Sequence, residues 1–245
     1  MARNLTYFVS DVHLGLQVAD AAGREARFVD FLKGIDPQDT EALYLLGDIW
    51  DFWYEYRDVV PKGYVRVFSA LQRLMDGGVR VYFFQGNHDV WSYRYFEELG
   101  LVRLTQPARV QIGGKWFCLG HGDGLGPGNR GYKFLRWVFH NRVLQALFSG
   151  LHPWFAFRLG NGWSRTSRLG KDVKYDFKGE EEPLYQFCAT YPEPADYFIF
   201  GHYHCRGVDM PVGGSGARLL LLCDWIGCSN WMVYDREAGL SVVYK

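Results

Sequence analysis

Short runs rich in Val, Ile, Phe, Tyr and Leu, bounded by Gly or Asp, recur along the chain at residues 5–10, 42–46, 79–85, 115–119, 197–200 and 219–223. Runs of this length predict buried β-strands. Between the first three lie helix-like stretches. Residues 25–34 carry Phe28, Phe31 and Leu32 at helical spacing, and residues 63–75 carry Val67, Leu71 and Leu74 before the stop signal Gly77-Gly78. Strand–helix–strand alternation over the first hundred residues implies βαβ units with parallel pairing. After Leu119 the pattern changes. Residues 132–157 are aromatic and basic and predict a long helix to at least Ser149, followed by a polar, basic stretch near 162–174. Strands return at Tyr197, and residues 230–245 read as a hairpin with its turn at 237–239. Residues 125–180 therefore look like a helical insertion between two strand-rich halves of one domain spanning 1–245.

Composition narrows the class. A chain of 245 residues, 48% hydrophobic and 22% charged, can bury a core without disulfides or a structural metal, which argues against disorder. The net charge is zero, so the whole chain is no polycation built for nucleic acid. The balance is uneven: residues 130–178 hold ten Lys or Arg against Asp172 and Asp176. Such a segment suits an anionic substrate or lipid headgroup, or forms a solvated helical face. The cysteines, Cys118, Cys188, Cys205, Cys223 and Cys228, are odd in number and have no CxxC pair. The start has no long apolar segment, and no apolar run reaches the roughly 18 residues of a membrane span. The expectation is a reduced, cytoplasmic protein with free thiols.

The chemistry sits where the strands end. The first run ends in Asp11-Val12-His13, the second in Gly47-Asp48, and the third in Gly86-Asn87-His88-Asp89. Later runs end in Gly120-His121-Gly122-Asp123 and Gly201-His202-Tyr203-His204. In α/β sheets, ligands bind outside the carboxyl ends of the strands. Glycine before each of the last four sets lets the backbone turn sharply onto a site. Asp11, His13, Asp48, Asn87, His121, His202 and His204 make seven donors, one short of two four-ligand sites, so a carboxylate must bridge, with Asp48 the natural candidate. Oxygen and imidazole donors without thiolate favour Mn²⁺, Fe²⁺, Co²⁺ or Zn²⁺ over Ca²⁺ or Mg²⁺ alone. Two such metals about 3.5–4 Å apart clamp the attacking and leaving oxygens of an in-line displacement and lower the pKa of a bridging water. The implied reaction is hydrolysis at phosphorus.

This ordered set, DxH, GD, GNHD, GHGD and GHYH, resembles the calcineurin-like metallophosphoesterase superfamily from Asp11 to Trp225. The resemblance implies an α/β fold, a four-layer αββα sandwich with a helical lid insertion. It implies one metal on Asp11, His13, Asp48 and His204 and another on Asp48, Asn87, His121 and His202. It makes His88 a catalytic group beside the metals that protonates the leaving oxygen, with Asp89 orienting it. A narrower likeness is carried by HGDGLGPGNRGYKF, the aromatic insertion and WSRTSRLGK, which look like UDP-2,3-diacylglucosamine pyrophosphatases. That family implies Mn²⁺, a UDP-linked diacyl glucosamine lipid cleaved to UMP and lipid 1-phosphate (lipid X) in lipid A biosynthesis, and acyl chains held by lid helices. It also implies peripheral association with the cytoplasmic side of the inner membrane. The best-known branch has Arg where this chain has His88; GDIWDFWYEYRDVVPKG with GNHD is similar to the branch of Bacteroidetes-type bacteria. By offset from His121, the likeness places substrate contacts at Asn129, Tyr132, Ser167, Lys171 and Lys174, beside Asn87 and His88.

The residues support a lipidic substrate independently. Apolar side chains from Phe134 to Phe157 exceed the three or four per two turns that a surface helix needs, as an interfacial helix or acyl groove requires. Simple packing of the insertion on the domain would also use them. Trp50, Phe52, Trp53 and Tyr54 could contact uracil or acyl chains, or form core. Asp224 could shore up the metal site or mark a turn. The competing function is a metallophosphoesterase for nucleic acid, cyclic nucleotide or phosphoprotein. Nucleic acid is not expected as a partner, because the insertion interleaves its aromatics with aliphatics instead of presenting a stacking platform.

Overall fold

The computed structural model describes residues 3–128, 130–169 and 175–245. Alternation of side chains along each strand builds two stacked sheets. The first contains β1 (Leu5–Val9), β2 (Thr40–Leu45), β3 (Arg80–Phe84), β4 (Val102–Leu104), β10 (Asn230–Asp235) and β11 (Gly239–Tyr244), in the order β11-β10-β1-β2-β3-β4. The β1 to β4 neighbours pair in parallel, while β10 and β11 close the sheet as an antiparallel hairpin. The second contains β5 (Ala108–Ile112), β6 (Lys115–Leu119), β7 (Tyr197–Phe200), β8 (Asp209–Val212) and β9 (Ala217–Leu221), in the order β5-β6-β7-β9-β8.

Odd and even positions of one strand serve different layers. Phe8, Tyr44 and Phe84 point between the sheets and meet Phe117, Leu119, Ile199 and Leu220. Val9, Leu43, Leu45, Val81 and Phe83 point the other way, onto α1 (Ala21–Gly34), α2 (Val65–Asp76) and α3 (Tyr95–Glu98). On the far side, Cys118, Phe198, Phe200 and Leu219 pack against α7 (Pro183–Ala189). The layers run helix, sheet, sheet, helix, the four-layer sandwich predicted.

The strand runs read from sequence all appear, and the hairpin turn is where expected: Asp235 accepts from the amides of Glu237 and Ala238. Three strands were not anticipated. All three, β4, β5 and β8, are edge strands with at most one buried residue each, and β8 contains Pro211. Edges tolerate polar residues and proline, so their apolar signal is weak. The long helix expected over 132–157 is instead broken into α4 (Arg130–His140), α5 (Arg142–Ser149) and α6 (Pro153–Leu169). Asn141 causes the first break by capping α5, accepting from the amides of Val143 and Leu144. Gly150 and Pro153 frame the second.

Phe117 is fully buried between the sheets, stacked on Phe8 (5.6 Å) and Tyr197 (4.9 Å). Phe117→Ala is expected to cost about 3–5 kcal/mol of unfolding free energy, read by denaturant titration. A cost below about 1 kcal/mol would contradict the inter-sheet packing.

Candidate active site

The loops leaving β1, β2, β3, β6 and β7 converge at one rim, and the structure brings all seven predicted donors together there. His121 Nε2 lies 3.3 Å from Asp48 Oδ2 and 3.2 Å from Asn87 Oδ1. His204 Nε2 lies 3.1 Å from Asp11 Oδ1 and 3.3 Å from His13 Nε2. The His202 ring sits 5.1 Å from that of His121, and its backbone N–H donates to Asp11 (3.0 Å). Asp48 stands between the groups. Its Oδ1 accepts the His88 backbone N–H at 2.8 Å, while Oδ2 faces His121 and, at 4.0 Å each, His13 and His88. Asp48 is thus the carboxylate that both groups of donors approach.

Holding these side chains strains the backbone. Among the described residues seven non-glycines have positive φ, and five of them are Asp11, His13, Asp48, His202 and His204. Left-handed backbone at non-glycine residues clusters where function demands it. Gly86 and Gly201 have a different task from the turn expected of them. A methyl group on Gly86 would collide with the Asp48 carboxylate, and one on Gly201 with Asp11 and Ser10. Neither has positive φ; they leave room for carboxylates to press against the main chain.

Four of the imidazoles, those of His13, His88, His121 and His204, share one orientation. Nδ1 of His121 donates to the Leu46 carbonyl (3.0 Å), and Nδ1 of His88 donates to the Asp51 carbonyl (2.8 Å). Nδ1 of His13 faces the Asp51 carboxylate (3.4 Å), and Nδ1 of His204 faces Asp224 (3.2 Å). An oxygen behind each ring thus leaves Nε2 to point inward, the arrangement typical of metal-binding histidines. Together with the triads Asp11–His13–His204 and Asp11–Asp48–His121, whose donor atoms lie within 4.8 Å of one another, this set fits a pair of divalent cations.

Asp89 does not take the place expected of it. Its oxygens accept from the amides of Gly86 (2.7 Å), Ile49 (2.9 Å), Asp48 (3.3 Å) and Trp50 (3.4 Å). The expectation that it orients His88 is corrected: the buried carboxylate knits the β2 and β3 loops together, and Asp51 meets the His88 ring. Burial and the nearby Asp48 charge push Asp89 up to about 7. Asp51 carried no signal beyond lying three residues after Asp48. Asp123, two residues after His121, is also buried. Burial would raise its pKa, but the charges of His121, His202 and Arg136 hold it low. Asp224 stands at the site, not merely in a turn.

Tyr132 stands at the rim, its ring 5.7 Å from His202. Asn129, Lys171, Lys174 and the Ser167 side chain lie outside the described residues. Trp50 and Trp53 are core residues stacked around Phe96, not site residues. Phe52 and Tyr54 instead receive the insertion. Tyr54 OH donates to the Gln145 carbonyl (2.8 Å), Trp91 Nε1 donates to the Phe139 carbonyl (2.9 Å), and Phe52 packs on Phe157.

Comparison with known proteins matches the rim to a family. The model for calcineurin-like phosphoesterases matches residues 5–206, the span that carries all seven donors. The chain belongs to the calcineurin-like phosphoesterase family. A protein named UDP-2,3-diacylglucosamine hydrolase from Porphyromonas gingivalis (strain ATCC BAA-308 / W83) is 35% identical over 252 residues, covering 95% of each chain. Proteins of the same name from Klebsiella pneumoniae and from Neisseria meningitidis serogroup B are each 28% identical, covering 90% and 89% of both chains. This phosphoesterase has, among its described residues, no helix long and apolar enough to cross a membrane.

Electrostatics predict how a cation would enter. Burial opposes charge on His204, but its hydrogen bonds and attraction to Asp11 and Asp224 push it up to about 9. Burial likewise opposes charge on His121, yet Asp48 holds it well above the usual imidazole range. Asp11 and Asp48 stay ionised: burial would raise them, but the surrounding histidines hold both well below the carboxylate range. A divalent cation must therefore displace imidazole protons, not carboxyl protons. Mn²⁺ uptake near pH 7 is expected to release protons, and affinity should rise with pH as His204, at about 9, and His121, also raised, lose their protons. Calorimetry in buffers of different ionisation enthalpy reads this. Affinity independent of pH between about 6 and 9 would contradict it.

Proposed function

We propose that the chain hydrolyses the pyrophosphate bond of UDP-2,3-diacylglucosamine to UMP and lipid 1-phosphate, in lipid A biosynthesis. The observation that carries this reading is an apolar surface bordering a phosphoesterase centre. Helix α4 starts beside His202, yet Phe134 and Trp137 are 66% and 59% exposed. Val143 and Leu147 on α5, and Trp154 and Phe155 on α6, continue the exposed face. An apolar surface of this extent marks a binding site for lipid or protein. The named relatives supply the matching substrate class.

In this reading residues 1–245 form one metallophosphoesterase domain, and residues 125–180 are its lid. Asp11, His13, Asp48 and His204 hold one divalent cation and Asp48, Asn87, His121 and His202 the other, with Mn²⁺ the expected metal. Bound there, the pair supplies Lewis-acid polarisation of phosphoryl oxygens and a lowered pKa for water. The chain itself provides the rest. Because His88 Nδ1 is held by the Asp51 carbonyl, Nε2 is the ring atom turned toward Asp48 and the substrate phosphates. Nε2 contacts a phosphate oxygen and protonates the departing one. Asn87, Tyr132, Asn129, Ser167, Lys171 and Lys174 complete the substrate contacts. The exposed apolar face, with Arg130, Lys133, Arg142 and Arg158 along it, seats the protein on the cytoplasmic surface of the inner membrane.

A mass-resolved assay with UDP-diacylglucosamine and Mn²⁺ tests the reading. Asp48→Ala is expected to abolish turnover, and His88→Ala to slow it roughly 10²–10⁴-fold. Leu147, 69% exposed, is a clean probe of the lid, whereas Phe139 packs on Trp91 and helps dock the insertion. Leu147→Asp should cost far more on long-chain substrate than on a soluble phosphodiester. Equal losses on the two would remove the lid, and turnover of DNA but not of the lipid nucleotide would overturn the substrate.

A further inference from the structure

One buried charge joins the insertion to the metal rim. Asp123 leaves β6 two residues after His121, and its side chain is almost wholly covered. From α4, Arg136 Nε donates to Oδ2 at 2.9 Å, and Tyr132 OH donates to the same oxygen at 3.2 Å. From the segment between β4 and β5, Gln106 Nε2 donates to Oδ1 and to the Asp123 carbonyl (3.1 Å), while Gln106 Oε1 accepts the Gly122 N–H (2.7 Å). Tyr132 and Arg136 are one helical turn apart and share a face of α4. Phe134 and Trp137 occupy the face exposed to solvent.

We propose that Asp123 is a positioning residue that locks the first turns of α4 over the metal rim and so couples lipid recognition to the reactive phosphate. The proposal deepens the lipid-nucleotide reading and rests on it for substrate class. The physical reason lies in the other anchors of the insertion. Phe52 and Tyr54 grip α5 and α6, and Trp91 grips α5 and the last turn of α4, through ring packing and hydrogen bonds to main-chain carbonyls of the insertion. These anchors are uncharged, and the one on α4 acts at its last turn, at Phe139, away from the first turns where Tyr132 and Arg136 meet Asp123. Asp123 is rigidly tied to His121 through the main chain and meets a fixed guanidinium, a directional, charge-assisted contact. Removing Arg136 leaves a covered carboxylate without its counter-charge, and removing Asp123 leaves a half-exposed guanidinium without its acceptor.

The test uses Asp123→Asn and Arg136→Gln, singly and together, in the full Mn²⁺-loaded chain. Hydrogen exchange of amides 130–140 reads the latch without reference to any substrate. Both single variants are expected to accelerate it at least tenfold, and the double variant should be no faster than either single one. In kinetics, kcat/KM for UDP-diacylglucosamine should fall at least tenfold further than that for bis(p-nitrophenyl) phosphate, chiefly through KM. Unchanged exchange in both single variants, additive effects in the double variant, or equal losses on the two substrates would overturn the latch. If the wild type fails to hydrolyse the lipid nucleotide, the substrate reading falls, and the exchange measurement still decides the latch. Should Asp123→Asn fail to fold, Arg136→Gln carries the test alone.

Discussion

Two buried carboxylates, Asp11 and Asp48, are the constraint that the rest of the molecule satisfies. Fully buried ionised groups are costly by several kcal/mol each unless met by charge and hydrogen bonds. Every nearby element contributes to meeting them. The His202 and His88 amides donate to Asp11 and Asp48, Gly86 and Gly201 let these side chains lie against main chain, and imidazoles turn Nε2 toward them. Left-handed backbone at five donors is the conformational cost of that convergence. A site so rich in negative oxygen and oriented imidazole is built for cations.

The sandwich explains why the donors can be far apart in sequence and adjacent in space. Each sheet delivers parallel strand ends to the same rim: β1, β2 and β3 from one, β6 and β7 from the other. The stacked rings of Phe8, Tyr44 and Phe117 hold the two sheets in register, so an error in inter-sheet packing would appear directly as misplaced ligands. The insertion is attached to this scaffold at the rim and on the aromatic platform, with Phe134, Trp137, Trp154 and Phe155 left outward.

Much of this was legible in the residues. Fully buried strands such as β2 and β3 announce themselves by continuous apolar runs, and their exits by Gly-Asp and Gly-Asn-His-Asp. The donor set is visible because liganding chemistry admits few residue types. What was hidden depends on three-dimensional company. Asp51 stands behind the His13 and His88 rings, and nothing in its local sequence distinguishes it from a turn carboxylate; Asp224, open in the sequence between site and turn, stands behind His204. Asp89 was misread because a motif position does not say whether a carboxylate faces a ring or four amides. Trp50 and Trp53 follow Asp48 yet turn into the helix layer, a direction that composition does not encode. The edge strands β4, β5 and β8 escape the pattern because a strand that buries at most one side chain needs no apolar run.

The central claim is that Asp48 is shared between two cations at one point. Titration of the metal-free protein with Mn²⁺, followed by electron paramagnetic resonance, tests it most directly. The account predicts two equivalents bound with the spin-coupled signal of a close pair, and loss of that coupling in Asp48→Asn. A single bound ion, or two uncoupled ions whose spectra ignore the substitution, would contradict it.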